Sequence, residues 1–498
     1  MKSTKSLCPE CLAVIDAEIY EENGKVMLGK TCTKHGSFTD VYWSNAKQFR
    51  RFDNYRHNGE GVKNPNVALD GNCPRSCGLC SSHKTTTILA NIDVTNKCNM
   101  NCPVCFANAS ASGYLYEPSL DQLRAMMQML RDEKPVPCPA IQFAGGEPTM
   151  REDIVNIIKM ANAFKFTQVQ MATNGIKLAN SLEFCKELVA AGLHTVYMQF
   201  DGVTSEPYLI NRGRNYLPLK LKAIENCRLS GLTSVSLVPT LAKGVNDKQV
   251  GDIIRFAVNN IDTVKGINFQ PISFTGRINK KERLEKRITI PYLFELIEEQ
   301  TGGAITGDDF YPVPFVVPVS HFVNAEEGIP NVEFTVHPHC GTGTYIYVEN
   351  GKMIPITRFI DVEGLLEHVQ ELASDTGRWS GGSIGKIKRI GSLISALPKY
   401  VDLSKAPKSV DVKKLFIDVL REGTGDAIKE FHRHTLFIGA MHFMDLYNMD
   451  LERIKMCGVH YATPDGRVIP FCTYNTIHRA EVEKKFSMPL LKVKVKTI

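Results

Sequence analysis

Ile92-Asp93-Val94-Thr95-Asn96-Lys97-Cys98-Asn99-Met100-Asn101-Cys102-Pro103-Val104-Cys105 is the stretch that decides how this chain folds and what it holds. Ile92 to Thr95 closes an apolar run that reads as a strand. Cys98, Cys102 and Cys105 follow at C-x3-C-x2-C spacing on one short loop. Thiolates ligate iron–sulfur clusters, and three of them can hold three irons of a four-iron cluster. A structural cluster usually brings four cysteines. The fourth iron is therefore left open to a substrate or cofactor.

Working outward, apolar runs that read as strands lie near 88–94, 139–144, 167–172, 194–200, 233–239 and 264–270. Helical patterns lie between them, as in Leu120, Leu123, Met126, Met127 and Leu130, which fall on one face. Repeated strand–helix units predict a parallel sheet with helices outside, closed partly or fully into a barrel. In such sheets chemistry sits at the carboxyl ends of the strands. The second run ends in Gly145-Gly146-Glu147-Pro148, where glycine lets backbone approach a ligand. The third ends in Thr173-Asn174-Gly175 and the fourth in Asp201-Gly202, with Arg212 beyond.

A three-cysteine loop after one strand and GGEP after the next resemble the radical S-adenosylmethionine (radical SAM) superfamily. The resemblance implies an α/β chain with a partial (β/α)6 TIM-type barrel. It also implies an open iron that binds the amino and carboxylate groups of S-adenosylmethionine, whose reductive cleavage yields a 5′-deoxyadenosyl radical. Cys98, Cys102 and Cys105 would be the catalytic cluster ligands. Gly145, Gly146, Glu147, Pro148, Thr173, Asn174, Asp201 and Arg212 would bind the cofactor, with Arg212 aimed at its carboxylate. Ordinary loop or cap roles stay open for Thr173, Asn174, Asp201 and Arg212.

Nine further cysteines fall into three groups of three. Cys8, Cys11 and Cys32, with His35 three residues on, have the spacing of a tetrahedral site for zinc or a single iron. This implies a small rubredoxin- or zinc-ribbon-like module over residues 1–70 that folds around its metal. Cys73, Cys77 and Cys80 repeat the radical-loop spacing just before the first strand. Cys457 and Cys472 lie either side of Thr463-Pro464-Asp465-Gly466, so a hairpin there sets them face to face. Cys340, in His337-Pro338-His339-Cys340-Gly341, could join them. One or two auxiliary [4Fe–4S] clusters are expected. Cys138, Cys185 and Cys227 read as ordinary buried thiols.

The CPEC module, the CPRSCGLC triad, the NKCNMNCPVC loop, GGEP and the CGVHYATPDGRVIPFC hairpin together resemble archaeal tetraether lipid synthases over essentially the full chain. Members of that group have also been labelled pterin-associated methyltransferases. The resemblance implies coupling of the terminal methyl carbons of isoprenoid chains of archaeal diether lipids. One chain end loses hydrogen to the radical, and the carbon radical is held at a sulfide of an auxiliary cluster until the second is activated. Two rivals stand beside it. One is a radical methyltransferase acting on a pterin or similar small molecule; the other is a non-enzymatic metal-binding scaffold.

With 498 residues the chain should hold roughly three domains. The expected division is the metal module at 1–70, the core at 71–300, and an α+β extension at 301–498 with auxiliary-cluster and substrate-binding roles. A net charge of +6 is too weak for a nucleic-acid binder. No run reaches the roughly 18 apolar residues of a membrane span. The expected location is cytoplasmic with peripheral membrane contact, and the expected partners are a lipid with isoprenoid chains and a reductase or ferredoxin-type electron donor. Three segments fit a lipid role. Phe310–Val319 is apolar and broken by proline, so neither regular helix nor central strand is expected, and it could line a chain-binding channel. Ile384, Ile387, Ile390, Leu393, Ile394 and Leu397 form an apolar half-face for docking, with Lys388 and Arg389 off it. Arg277, Lys280, Lys281, Arg283, Lys286 and Arg287 form a basic run suited to phosphate headgroups.

Overall fold

The computed structural model describes residues 2–109, 112–374, 383–408 and 433–489. It opens with a four-stranded antiparallel meander: β1 (Lys2–Leu7), β2 (Val14–Glu22), β3 (Lys25–Cys32) and β4 (Gly36–Trp43). Asn23 and Gly24 both take positive φ between β2 and β3, as a tight hairpin turn requires. The meander is docked on the chain's far end. Thr4 and Tyr42 both donate to the Asp450 carboxylate, and the buried Lys30 donates to the Leu446 carbonyl.

The six expected barrel strands all form, each within two residues of its apolar run. They are β5 (Leu89–Thr95), β7 (Ala140–Gly145), β8 (Gln168–Thr173), β9 (Thr195–Gln199), β10 (Val235–Val238) and β12 (Val264–Pro271). They pair in parallel in that order. Two short strands, β6 (Tyr114–Tyr116) and β11 (Thr240–Leu241), lie off this run. The helix Leu120–Arg131 starts at a Ser119–Gln122 capping box and buries Leu123, Met126, Met127 and Leu130. Leu120, its first residue, is exposed instead.

Among the described residues, the region beyond 300 does not build a sheet of its own. Its strands are β13 (Tyr311–Pro312), β14 (Gly341–Glu349), β15 (Lys352–Pro355), β16 (Thr435–Met441), β17 (Val459–Ala462), β18 (Val468–Pro470) and β19 (Ser487–Pro489). Of these, β16 pairs in parallel with β12, and β17 in parallel with β5. Eight neighbouring strands are thus parallel, and antiparallel β18 and β14 border them. Among the described residues no ladder joins the two ends, so the sheet stays open.

The three segments expected to serve a lipid are placed differently. Leu393 and Leu397 are buried in a side core with Phe322, Phe359 and Leu365. Arg389 is buried too, paired with the buried Glu326. The Ser383–Tyr400 helix thus turns its apolar stripe inward; the side chains of Ile384 and Ile387 lie outside the described residues. Pro318 falls in the first turn of the helix Val317–Glu327, where proline costs no hydrogen bond, so the proline-broken segment runs through a 3-10 turn at Val313–Val316 into a regular helix at its end. In the basic run, Arg283 and Arg287 pair with the buried Asp40, and Arg287 with Asp445. Lys286 pairs with Glu282, and Arg277 donates to Asn101. Arg283 and Arg287 thus pin the meander and the C-terminal region to the barrel, while Lys280 and Lys281 stay exposed.

Candidate active site and metal centres

Cys98, Cys102 and Cys105, all half-buried, line a cavity of about 430 Å³ at the carboxyl ends of the strands. Gly145 and Gly146 form its near edge, and the backbone there is zipped to the cysteine loop. Gly146 N donates to the Thr95 carbonyl and Glu147 N to the Lys97 carbonyl, both at 2.8 Å. A Cβ on Gly145 would stand 2.1 Å from Thr95 O, and one on Gly146 2.2 Å from Lys97 O. Only glycine allows strand β7 to end that close to the loop.

Glu147 is buried and its carboxylate is occupied. It accepts from Thr149 N and Oγ1, from Thr173 Oγ1 and from Asn174 N. The side chain welds the turn after β7 to the end of β8. Asn174 in turn donates to Asn99 Oδ1 at 2.7 Å, inside the cysteine loop. Pro148 opens the 3-10 turn behind it. Asp201 is fully buried and grips Arg212 from both carboxylate oxygens, at 2.6 and 2.9 Å. Arg212 also donates to the Val104 carbonyl and Thr240 Oγ1. Its guanidinium lies against the Cys102 thiol and braces the loop from behind. The fork expected to meet a cofactor carboxylate is thus largely spent on Asp201.

The donor set fits the implied group. The cavity lining holds three thiols and, among the described residues, no further cysteine or histidine, so a bound cluster keeps one iron free. Burial pushes the Cys98 thiol up to about 12, a cost that cluster iron removes by holding the thiolate. The facing wall was not read from the sequence. Phe443 stacks on Phe471 at 3.9 Å, with Phe106 and Tyr461 beside them. Arg479, on that wall, is buried against Asp93 and Glu483. Phe106 comes from the cysteine loop and the others from a loop, a strand and two helices more than 300 residues further on, with no shared spacing to reveal them.

In the meander, the ligand atoms of Cys8, Cys11, Cys32 and His35 all lie within 4.8 Å of one another. The Cys11–Cys32 sulfurs are 3.9 Å apart, and His35 Nδ1 is 3.5 Å from both Cys8 and Cys32. A tetrahedral zinc with Zn–S near 2.3 Å needs sulfurs about 3.8 Å apart. The Cys32 thiol is held down at about 6, by the Lys34 backbone N–H first and His35 next.

The other six candidate ligands lie near one another: the charges of Cys73 and Cys80 act on Cys77, those of Cys340 and Cys77 on Cys457, and those of Cys457 and Cys340 on Cys472. Cys77 Sγ lies 3.2 Å from Thr473 Oγ1, and His478 Nε2 donates to the Pro74 carbonyl at 2.8 Å. The hairpin forms, but its ladder pairs His460 with Pro470 and Ala462 with Val468, pivoting on Asp465. It ends at Pro470, and Cys472 sits in the short helix Phe471–Thr473. Cys457 and Cys472 are therefore near neighbours and not a cross-strand pair; their charges still couple to each other and to Cys340. Beside them Arg453, 1% exposed, points Nε at Cys340 Sγ from 3.4 Å. Its Nη2 donates to the His442 carbonyl, Nη1 has no hydrogen bond, and among the described residues it has no carboxylate partner. A buried guanidinium needs an anion. Thiolates holding a metal would supply it.

A partial barrel, its parallel sheet left open and a three-thiol site at its strand ends, defines a radical SAM protein, and the radical SAM superfamily model matches residues 92–257. A model described as the HMPTM N-terminal zinc ribbon domain matches residues 1–44. The chain belongs to the same family as the 7,8-dihydro-6-hydroxymethylpterin dimethyltransferase of Methanocaldococcus jannaschii, with which it is 54% identical over 98% of its own length and 96% of that protein's. The GTP 3′,8-cyclase of Clostridium acetobutylicum is 28% identical over 39% of this chain and 62% of the cyclase. Streptococcus suis SuiB bound to its precursor peptide aligns with a TM-score of 0.36 and 16% identity, over 44% of this chain and 46% of that one.

Proposed function

We propose that this chain is a radical SAM methyltransferase acting on a reduced pterin. The observation that carries it is the full-length identity with the M. jannaschii enzyme, joined to a cavity in which the three thiols face an aromatic wall. When bound, S-adenosylmethionine on a four-iron cluster supplies a 5′-deoxyadenosyl radical that removes hydrogen from an unactivated carbon. The chain's part is to hold and screen. Cys98, Cys102 and Cys105 carry the cluster, the Gly145–Gly146 turn approaches the loop, and Glu147, Asn174 and Arg212 fix the loop's shape. Phe443, Phe471 and Phe106 exclude water from the reacting carbon. Cys73, Cys77 and Cys80, with Cys340, Cys457 and Cys472, are assigned to one or two auxiliary clusters, on the strength of the buried Arg453 guanidinium, which among the described residues has no carboxylate and points at Cys340. Electrons would come from a ferredoxin-type protein or a reductase.

A second reading, coupling of isoprenoid lipid chains, is favoured by one observation. Much of the cavity wall is aliphatic, including Leu89, Met100, Ile272, Ile278 and Met441. That reading also carries the peripheral membrane contact; among the described residues no helix is long and apolar enough to cross a bilayer. Anaerobic turnover with S-adenosylmethionine and dithionite decides between them. Methylated pterin in the mass spectrum, with 5′-deoxyadenosine formed alongside, supports the first. Tetraether product from diether lipid, with the pterin unchanged, overturns it.

A further inference from the structure

Arg151, Arg212, Arg389 and Arg479 are buried, and a carboxylate neutralises each of them. Their partners are Asp153, Asp201, Glu326, and Asp93 with Glu483. Arg453, the remaining buried arginine among the described residues, is treated differently. It sits on the short helix Leu451–Lys455, and the Tyr42 ring centroid lies 5.6 Å from its Cζ. Asp450, which caps that helix, is already engaged by Thr4, Tyr42 and the Glu452 N–H. A buried cation is expensive unless an anion sits against it.

What surrounds this guanidinium is sulfur. Nε donates to Cys340 Sγ at 3.4 Å, and Cys340 and Cys472 both act on its charge. Its grip on Cys340 is fixed from two sides. Nη2 donates to the His442 carbonyl at 2.8 Å, and His442 N donates in turn to the Cys340 carbonyl at 2.9 Å. The neighbouring imidazoles of His337, His339 and His442 are kept neutral by burial, so none of them competes as a cation. Arg453 itself stays charged at any pH the protein meets. Nη1 keeps its protons for a further acceptor.

We propose that Arg453 is the counter-cation and positioning residue of the auxiliary cluster that Cys340 ligates, holding the Cys340 thiolate by a charge-assisted hydrogen bond and making that cluster easier to reduce. This rests on the assignment of Cys340 to an auxiliary cluster and deepens it, by naming the residue that sets the potential. Net charge and hydrogen bonds to the sulfurs set the potential of an iron–sulfur cluster. Reduction adds one negative charge, and a fixed positive charge against a ligating sulfur favours the reduced form. A charge-assisted bond to the thiolate is also stronger than a neutral one.

The test uses the full chain reconstituted with iron and sulfide without oxygen, with Cys98, Cys102 and Cys105 replaced by alanine so that the radical cluster adds no signal. Dithionite titration followed by electron paramagnetic resonance gives the midpoint of each remaining cluster, and the signal that Cys340→Ala removes marks the one in question. Arg453→Gln should lower that midpoint by about 59 mV or more, a tenfold change in the one-electron equilibrium, while Arg453→Lys stays within about twofold of the parent. Iron per chain separates a lost cluster from a shifted one. Iron lost in Arg453→Gln and kept in Arg453→Lys supports the same role for the charge. An unchanged midpoint in Arg453→Gln at full iron overturns the proposal and leaves the auxiliary cluster standing. Iron loss in both variants, or an equal fall in both midpoints, overturns it too, since charge is then not what the site needs. Full iron and every signal intact in Cys340→Ala overturns the cluster assignment at Cys340 and the proposal together.

Discussion

Gly146 shows how little freedom one residue can have. Its backbone sits so near Lys97 O that an added methyl group must push the cysteine loop away. Gly146→Ala should lower iron at the radical triad and cut 5′-deoxyadenosine formation at least tenfold, while the meander keeps its metal; metal analysis per chain and product chromatography check both. Glu133 is constrained by burial. One carboxylate oxygen accepts from Thr87 N at 2.6 Å, and the other has no partner. Desolvation raises its carboxyl to about 7, above the 4.3 or so of an unfolded glutamate. The native state then keeps a proton that the unfolded chain has lost, so this residue's contribution is full at low pH and disappears as pH rises through about 7. Glu133→Gln, neutral at every pH, should gain stability over the parent between pH 5 and 8, by up to about 3 kcal/mol in urea unfolding. A constant difference across that range would rule the assignment out. The radical cysteines and GGEP were legible because their meaning lies in spacing along one loop. The partners of Glu147 and Arg212 were not, because they depend on which strand ends come together.

At the scale of the element, the meander is small, and its metal ligands sit at its turns. Structural zinc contributes folding energy directly in such units. Cys32→Ser should therefore release the metal and loosen β1–β4. The loss reaches beyond the meander, because Trp43 packs on Phe49, Phe52 and His339 and Tyr42 donates to Asp450. A red shift in tryptophan emission, with iron content at the radical loop retained, is the expected outcome; an unchanged spectrum would mean the fold holds without its ion. The same scale shows where pattern runs out. Six barrel strands could be placed to within two residues because buried parallel strands are short apolar runs. The stripe on the Ser383–Tyr400 helix was equally plain, yet amphipathicity records only that one face avoids water. It does not say whether a bilayer or a core of Phe322 and Phe359 covers that face.

For the whole molecule, the informative fact is strand order. Nothing in local sequence marks β16 as the neighbour of β12, or β17 as the neighbour of β5, since paired residues such as Gly266 and Phe437, or Ala90 and His460, lie far apart in the chain. The expected boundary at 300 therefore cuts through one sheet. A chain ended at Gln300 would leave β5 and β12 with bare edges, and unpaired edges invite association. Such a fragment should elute as aggregate in size-exclusion chromatography, where a free-standing core would elute as a monomer. The order of synthesis adds a consequence for maturation. Met441, Phe443, Val459, Tyr461 and Phe471, which close one side of the cavity, all lie more than 300 residues after Cys105. On the ribosome, where folding proceeds from the N-terminus, the cysteine loop stands beside an unfinished basin until those strands emerge. Closure of the wall is thus a late event, and the cysteine loop is at its most accessible before it.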